Sequence, residues 1–417
     1  MYLKFAIIAD DLTSATDVGI QFTRVGYQVG VLFGIPGDPG SDLNGLEVLS
    51  IDCDSRTKSA VEAHSRTRDA ARSISGARIV FKSVDSTIRG HLGAELCGVL
   101  EQGGRQTAIV APAFPSAGRT TRAGVQLLNG QPLHETEFAN DPINPVNESR
   151  IVELLGDAAL HPIAVLDRSR AGDPLEMRRA MMSSRCVVAD ADSDEDLRDL
   201  VRAVVDPTAV CWVGSPGLAR ALGEVFPGSI CTRTALDSSQ SLIIVVGSLH
   251  SVSRRQLSHL LESGLAEAVE LDSRRVVEGN CKGAIRDAVR SARSALHQGH
   301  PVALFSSPSR LTMSRSAYGI NLGETGARLV ATSLAGVVYE LVREWVAGGL
   351  VIVGGDTASV VLRQLDTVGV KLHAELEPGI PIGQLVGPYP LRIITKAGGF
   401  GSESTLVHAC NVLMKAG

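Results

Sequence analysis

Short apolar, β-branched runs alternate along the chain with longer stretches whose apolar positions recur every three or four residues. The first pattern predicts strands over Phe5–Ile8, Val48–Ile51, Ile79–Lys82, Thr107–Ala111, Ile163–Leu166, Val187–Ala189 and Val210–Val213. The second predicts helices over Ala60–Ser75, Gly93–Glu101, Arg150–Leu155, Leu175–Met182 and Glu195–Val205. The pattern breaks at Thr232–Ser241, which is polar and has no sustained apolar period. A second series follows: strand Leu242–Val246, helices Ser253–Ser263 and Ala284–Leu296, strand Val302–Phe305, helix Ala327–Ala347, strand Leu350–Val353 and helix Thr357–Leu365. Between Glu377 and Lys396, glycines, prolines and short apolar runs predict a few short β elements, with a last helix near Glu403–Lys415. Strand–helix alternation of this kind predicts two α/β domains, 1–235 and 236–417, each with a largely parallel sheet. No internal repeat is visible.

Composition narrows the function classes. A hydrophobic fraction of 44% and a charged fraction of 20% are those of a globular enzyme. The net charge of −5, the absence of a basic block and an aromatic fraction of 4% argue against nucleic-acid binding. No apolar segment is long enough to span a membrane, and the N-terminus enters a strand-like run without the pattern of a signal peptide. The seven cysteines are scattered, odd in number and form no C-x-x-C, so a reduced, cytoplasmic protein is expected. The ten histidines lack ligand spacing, and no protein metal site is predicted.

Chemistry concentrates at strand ends. The run Ile7–Gly19 (IIADDLTSATDVG) delivers two adjacent carboxylates, Asp10 and Asp11, to the carboxyl end of a buried strand, where open α/β sheets bind ligands. Thr13 and Ser14 are candidate caps for the following helix. In Lys82–His91 (KSVDSTIRGH), Lys82, Ser83, Val84, Asp85 and Arg89 crowd one turn after another strand. Lys82 and Arg89 could hold a carboxylate or phosphate, and Asp85 could take a hydroxyl proton. Arg56 occupies the same position after a third strand. The loop Ala111–Arg119 (APAFPSAGR) is either a wall of the site or a rigid connection.

Glycines replace charges in the second half. Val246-Gly247-Ser248, Val353-Gly354-Gly355-Asp356-Thr357 and Lys396-Ala397-Gly398-Gly399-Phe400-Gly401 each follow a strand and precede a helix. Such turns let backbone N–H groups approach a phosphate at a helix N-terminus. Neither a Walker A nor a Rossmann glycine fingerprint is present, which argues against a dinucleotide dehydrogenase. Lys396 could reach a phosphate or be a surface charge.

The ordered segments ADDLTSATDVG, KSVDSTIRG, APAFPSAGR, VVGSLHSVSRRQ, GGDT, ELEPGIPIG and TKAGGFG resemble the motifs of the four-carbon acid sugar kinase family, over essentially the whole chain. Ser14 stands where the first motif has a glycine, and His91 stands where KSVDSTIRG is usually followed by asparagine. The resemblance implies a sugar-acid-binding domain, a nucleotide-binding domain and an active-site cleft between them. It implies ATP-dependent phosphorylation of the terminal hydroxyl of a tetronate, with Asp17–Phe22 closest to the D-threonate kinases. D-erythronate, a 3-oxo-tetronate, or a non-catalytic sensor on the same fold are the alternatives. Substrate residues would be Asp10 or Asp11, Arg56 and Lys82–Asp85; nucleotide residues would be Ser248, Gly354–Thr357 and Gly398, with Gly399 beside it. Lys82 and Arg56 are candidates for the substrate carboxylate, and Asp10, Asp11 or Asp85 for the base. Mg²⁺ is expected with ATP, carried mostly by phosphate and water. Apolar helices such as Ala327–Ala347 could serve a homodimer or the core.

Overall fold

The computed structural model describes residues 3–35, 45–102, 104–140, 144–156, 158–228, 241–248, 250–306, 323–344 and 347–414. Two compact units divide the chain, Met1–Thr232 and Arg233–Gly417. The boundary expected near residue 235 falls in 229–240, outside the described residues.

The strands of the first unit are β1 (Phe5–Ala9), β2 (Val29–Phe33), β3 (Val48–Asp52), β4 (Ile79–Ser83), β5 (Thr107–Ala111), β6 (Arg119–Arg122), β7 (Val125–Leu128), β8 (Gln131–Pro132), β9 (Ile163–Leu166), β10 (Cys186–Ala189) and β11 (Val210–Gly214). They form a parallel sheet in the order β2-β3-β1-β4-β11-β5-β10-β9 and a small antiparallel sheet β6-β7-β8. The central strands are apolar on both faces because helices cover both. Burial of each Ile or Val there contributes about 1.5–3 kcal/mol. Strands β2 and β3 lie to one side of β1 and β4 to the other, so the winding direction reverses between β1 and β4.

Two elements escaped the sequence pattern for the same reason. The strand β2 (VGVLF) and the helix Pro216–Val225 (PGLARALGEV) contain glycines that read as breakers. In the helix they permit contact: a Cβ on Gly217 would lie 2.4 Å from the Ala113 carbonyl oxygen, and one on Gly223 3.0 Å from Val25. Ser215 caps that helix and Pro216 opens it.

In the second unit, β12 (Leu242–Val246), β13 (Glu267–Leu271), β14 (Val302–Ser306), β15 (Gly349–Val353), β16 (Gly369–Glu377), β17 (Ile380–Val386) and β18 (Arg392–Lys396) are arranged β13-β14-β12-β15-β18-β17-β16. The first five in that order are parallel, and β17 and β16 run antiparallel at the end. The short β elements expected between Glu377 and Lys396 are β17 and β18; the strand missed is β16 before them, where shifts in register after Leu372 and Glu375 break the alternation that would have announced it. The winding direction reverses here between β12 and β15. On one face, Leu260, Ile394, Leu406, Ala409 and Leu413 pack the helices Ser251–Glu262 and Thr405–Met414 onto the sheet.

Candidate active site

In the first unit, the reversal between β1 and β4 collects the predicted charges. The Asp11 Oδ1 accepts the Ser14 N–H at 2.7 Å, so Asp11, rather than Thr13 or Ser14, caps the helix Leu12–Arg24. Arg56 reaches in from the loop after β3. Its Nε donates to Asp10 Oδ2 at 2.7 Å, its Nη2 to Ser14 Oγ at 2.7 Å, and its Nη1 pairs with Asp11 Oδ2. The same loop is stitched to β1 because the Asp10 carbonyl accepts the N–H groups of Ser55 and Arg56 at 2.8 and 3.2 Å. After β4, Asp85 Oδ2 accepts from Thr87 Oγ1 and Arg89 Nε, both at 2.5 Å, and Arg89 lies over the Phe138 ring.

Two residues in these loops hold conformations their side chains disfavour: Asp54 has φ 47° and Ile88 φ 53°. Ile88 is β-branched and is kept there by burial against Leu133 and Val146. Strain of this kind persists where surrounding packing over-determines the backbone, often at ligand sites.

Lys82 corrects one expectation. It is fully buried, its ammonium pairs with Glu95 Oε2 at 2.8 Å, and it donates to the Ser83 carbonyl at 2.5 Å. Glu95 Oε1 in turn accepts from Ser55 Oγ at 2.6 Å. The ammonium is thus engaged with protein oxygens, and the Lys82–Glu95–Ser55 chain sets the loop that carries Arg56. The sequence did offer a signal for Glu95, an acid on the apolar face of a predicted helix. Val84 is also engaged, since its N–H goes to the Gly214 carbonyl at 2.9 Å. By contrast, Asp10 Oδ1 and Ser83 Oγ are buried with no hydrogen-bond partner among the described residues.

The electrostatics separate the carboxylates. Burial acts to raise Asp10, but Arg56 and then Lys82 hold it below the ordinary range. Asp85 is likewise opposed by burial yet held down to about 2, by Arg56 and Arg89. Asp11 is raised, by burial first and by Asp10, against the pull of Arg56. Asp52, at the end of β3, was not singled out from sequence; burial, with Asp11, Asp54 and Asp10 adding, pushes it up to about 7.

The loop Ala111–Arg119 is tied to this region by Gln126, whose Nε2 donates to the Ser86 and Pro112 carbonyls at 2.9 and 3.2 Å. His91 bonds to the Lys58 carbonyl at 2.6 Å and braces the loop after β3.

In the second unit, the three glycine turns converge. A Cβ on Gly354 would lie 3.4 Å from Ser248, one on Gly398 2.3 Å from Ser248 Oγ, and one on Gly399 3.4 Å from His250 Nε2. A Cβ on Gly247 would lie 2.1 Å from Thr357 Oγ1. Gly354, with φ 112°, opens the helix Gly355–Gln364, whose N-terminus receives no side-chain cap among the described residues. Gly355 and Asp356 are exposed in its first turn and Thr357 is buried. The last loop is fixed from below: Ser253 Oγ donates to the Gly398 carbonyl at 2.6 Å, and Gln256 Nε2 donates to the Phe400 and Ser402 carbonyls. Uncapped N–H groups beside close-packed glycines are suited to phosphate oxygens.

Residues 5–222 match the family described as sugar-binding N-terminal domain, and residues 243–406 the nucleotide-binding C-terminal domain. The chain is similar to a D-threonate kinase of Salmonella typhimurium, 33% identical over 98% of this chain and 97% of that one. It is also similar to a D-erythronate kinase of Heliobacterium modesticaldum, 29% identical over 98% and 96%. A crystal structure of a Haemophilus influenzae protein shares the fold, with a TM-score of 0.79 at 19% identity over 98% of this chain and 100% of that one. A Bordetella bronchiseptica protein, solved as a domain-swapped dimer with bound citrate, is 31% identical over 99% of each chain, with a TM-score of 0.50. A charged cluster at the strand ends of a sugar-binding unit, glycine turns in a nucleotide-binding unit and these full-length likenesses make the chain a member of the four-carbon acid sugar kinase family, an ATP-dependent phosphotransferase acting on a sugar acid.

Proposed function

We propose that the enzyme transfers the γ-phosphoryl group of ATP to the C4 hydroxyl of D-threonate. The observation that carries the site assignment is the pair of open, buried acceptor atoms, Asp10 Oδ1 and Ser83 Oγ, at the reversal between β1 and β4. Buried polar atoms are seldom left without partners, and a polyol supplies hydroxyls to meet them. Arg56, with guanidinium N–H groups left over after Asp10, Asp11 and Ser14, takes the substrate carboxylate. Asp10 orients the C4 hydroxyl and receives its proton as the new O–P bond forms and the bond to ADP breaks. Asp11, with one oxygen on Ser14 N–H and the other on Arg56, organises the guanidinium. Asp85, whose Oδ2 already accepts from Thr87 Oγ1 and Arg89 Nε, serves to fix Arg89. Phosphoryl transfer asks mainly for such positioning and charge balance.

In the second unit, Ser248, the N–H groups of Gly354–Thr357 and those of Gly398–Gly399 hold the phosphates. Among the described residues, no three His, Cys, Asp or Glu side chains form a metal cage. Mg²⁺ bound through phosphates and water needs none. Asp356 fits as a supporting oxygen, since a carboxylate beside phosphates is repulsive unless a cation lies between. When bound, the ion would neutralise phosphate charge.

The preference for D-threonate rests on the D-threonate kinase of Salmonella typhimurium being more similar than the D-erythronate kinase of Heliobacterium modesticaldum. A cytoplasmic setting rests on the scattered cysteines, which form no C-x-x-C. A homodimer rests on the Bordetella bronchiseptica protein and is checked by light scattering. The test is ATP consumption with Mg²⁺ across D- and L-threonate, D- and L-erythronate and the 3-oxo-tetronates, with identification of the product. D-threonate 4-phosphate as the preferred product is expected; a higher kcat/KM for another tetronate overturns the substrate.

A further inference from the structure

Lys396 ends β18 and is 4% exposed, so it is not a surface charge. Its carbonyl accepts the Gly354 N–H at 2.9 Å, which joins the end of β18 to the turn after β15. Its ammonium is buried and, among the described residues, has neither a hydrogen-bond nor an ion-pair partner. Side chains alternate along a strand, so Lys396 shares the face of Ile394, which packs against Leu406 and Ala409. The chain after Lys396 is bound down over that same face by Ser253 and Gln256. The ammonium therefore lies under the glycine loop whose Gly398 and Gly399 abut Ser248 and His250.

Glu377 is the carboxylate whose field acts on it, but Glu377 is committed elsewhere. It accepts the Ser402 N–H at 3.1 Å and Thr405 Oγ1 at 2.7 Å, and His408 lies 3.6 Å away. Burial pulls the ammonium down to about 8, with Glu377 opposing. A buried cation without a partner is strongly unfavourable unless a ligand brings the countercharge.

We propose that Lys396 is the cationic contact for the nucleotide's phosphate chain, reached from beneath the last glycine loop. The inference rests on the nucleotide reading of the three glycine turns. It adds a point charge to a site otherwise built from backbone N–H groups and hydroxyls, and lysine suits phosphate in that role. Because the contact is to phosphate alone, it distinguishes ATP from adenosine.

Calorimetric titration of ATP, ADP and adenosine into the full-length wild type, Lys396→Met, Lys396→Arg and Gly398→Val tests it. Lys396→Met is expected to weaken ATP by about tenfold or more while adenosine changes by less than about twofold, and Lys396→Arg to recover part of the loss. ATP affinity within about twofold of wild type in Lys396→Met, or an equal loss for adenosine, overturns the proposal. Should Lys396→Met not fold, wild type with ¹³C-lysine incorporated during expression is titrated with inorganic tripolyphosphate, the Cε signal being identified by its absence from Lys396→Arg. Movement of that signal supports the contact; a fixed signal at saturation overturns it. A wild type that binds no ATP removes the nucleotide reading itself. ATP binding that Gly398→Val abolishes and Lys396→Met leaves intact removes only the role of Lys396.

Discussion

The two units use the same topological device with opposite chemistry. Each presents its candidate ligand-binding loops where the winding of a parallel sheet reverses, between β1 and β4 in the first and between β12 and β15 in the second. At the first reversal the loops carry Asp10, Asp11, Arg56, Asp85 and Arg89, paired with one another. At the second they carry glycines and, among the described residues, an uncapped helix N-terminus and a lysine, Lys396, with no partner. A small polyol acid offers a few hydroxyls and one carboxylate, so its site needs directional side chains held by their own ion pairs. A nucleotide offers many phosphate oxygens, so backbone N–H groups suffice, provided no side chain keeps the phosphates at a distance.

The largest expected effect breaks the comparison at the first unit. Asp10→Asn should lower kcat by about 10²–10⁴-fold and leave ATP affinity unchanged, as read by steady-state kinetics and calorimetry. Equal loss of ATP binding would mean that the two reversals do not have separate roles.

Lys82→Met should destabilise the protein by about 3–5 kcal/mol in urea unfolding, because it strands the buried Glu95. The double variant Lys82→Met/Glu95→Leu should recover most of that stability but not the KM for the sugar acid, since Ser55 loses the partner that sets the Arg56 loop.

Asp52 gives a pH signature confined to the first unit. Its folded pKa, about 7, lies above the ordinary value of 3.8. The folded state therefore holds a proton that the unfolded state releases between these values, and Asp52 weakens the fold as pH rises through that window. Asp52→Asn, which keeps the oxygen that accepts the Asp54 N–H, should stabilise the protein at pH 8 by up to about 4 kcal/mol. The gain should disappear near pH 4 in the same unfolding assay.

Gly247→Val should weaken ATP by about tenfold, since its Cβ would meet Thr357 Oγ1, while sugar-acid binding is retained. The smallest effect is expected from Ser14→Gly. It removes one Arg56 partner and should shift the KM for the sugar acid by about 0.5–1.5 kcal/mol equivalent, without a change in Tm beyond a few degrees.

The alternation of apolar runs with helical periods determined by itself that the chain builds parallel α/β sheets, and the strand-end positions of Asp10, Asp11, Arg56, Asp85 and the glycine turns were legible because both signals are local. Elements whose glycines serve tertiary contact, such as β2 and the helix Pro216–Val225, were not legible, since a glycine that admits a neighbour reads the same as one that ends a helix. The order of the strands, and with it the place of each reversal, was decided by tertiary packing. So was the division of charges: the sequence offers Lys82, Arg56 and Lys396 as equivalent cations. Only the fold buries Lys82 against Glu95, leaves Arg56 shared among three oxygens and gives Lys396 no partner among the described residues. Arg56 lies 46 residues from Asp10 and 42 from Ser14 in the chain, and that pairing is fixed by which strand ends are neighbours, a long-range property that no local pattern encodes.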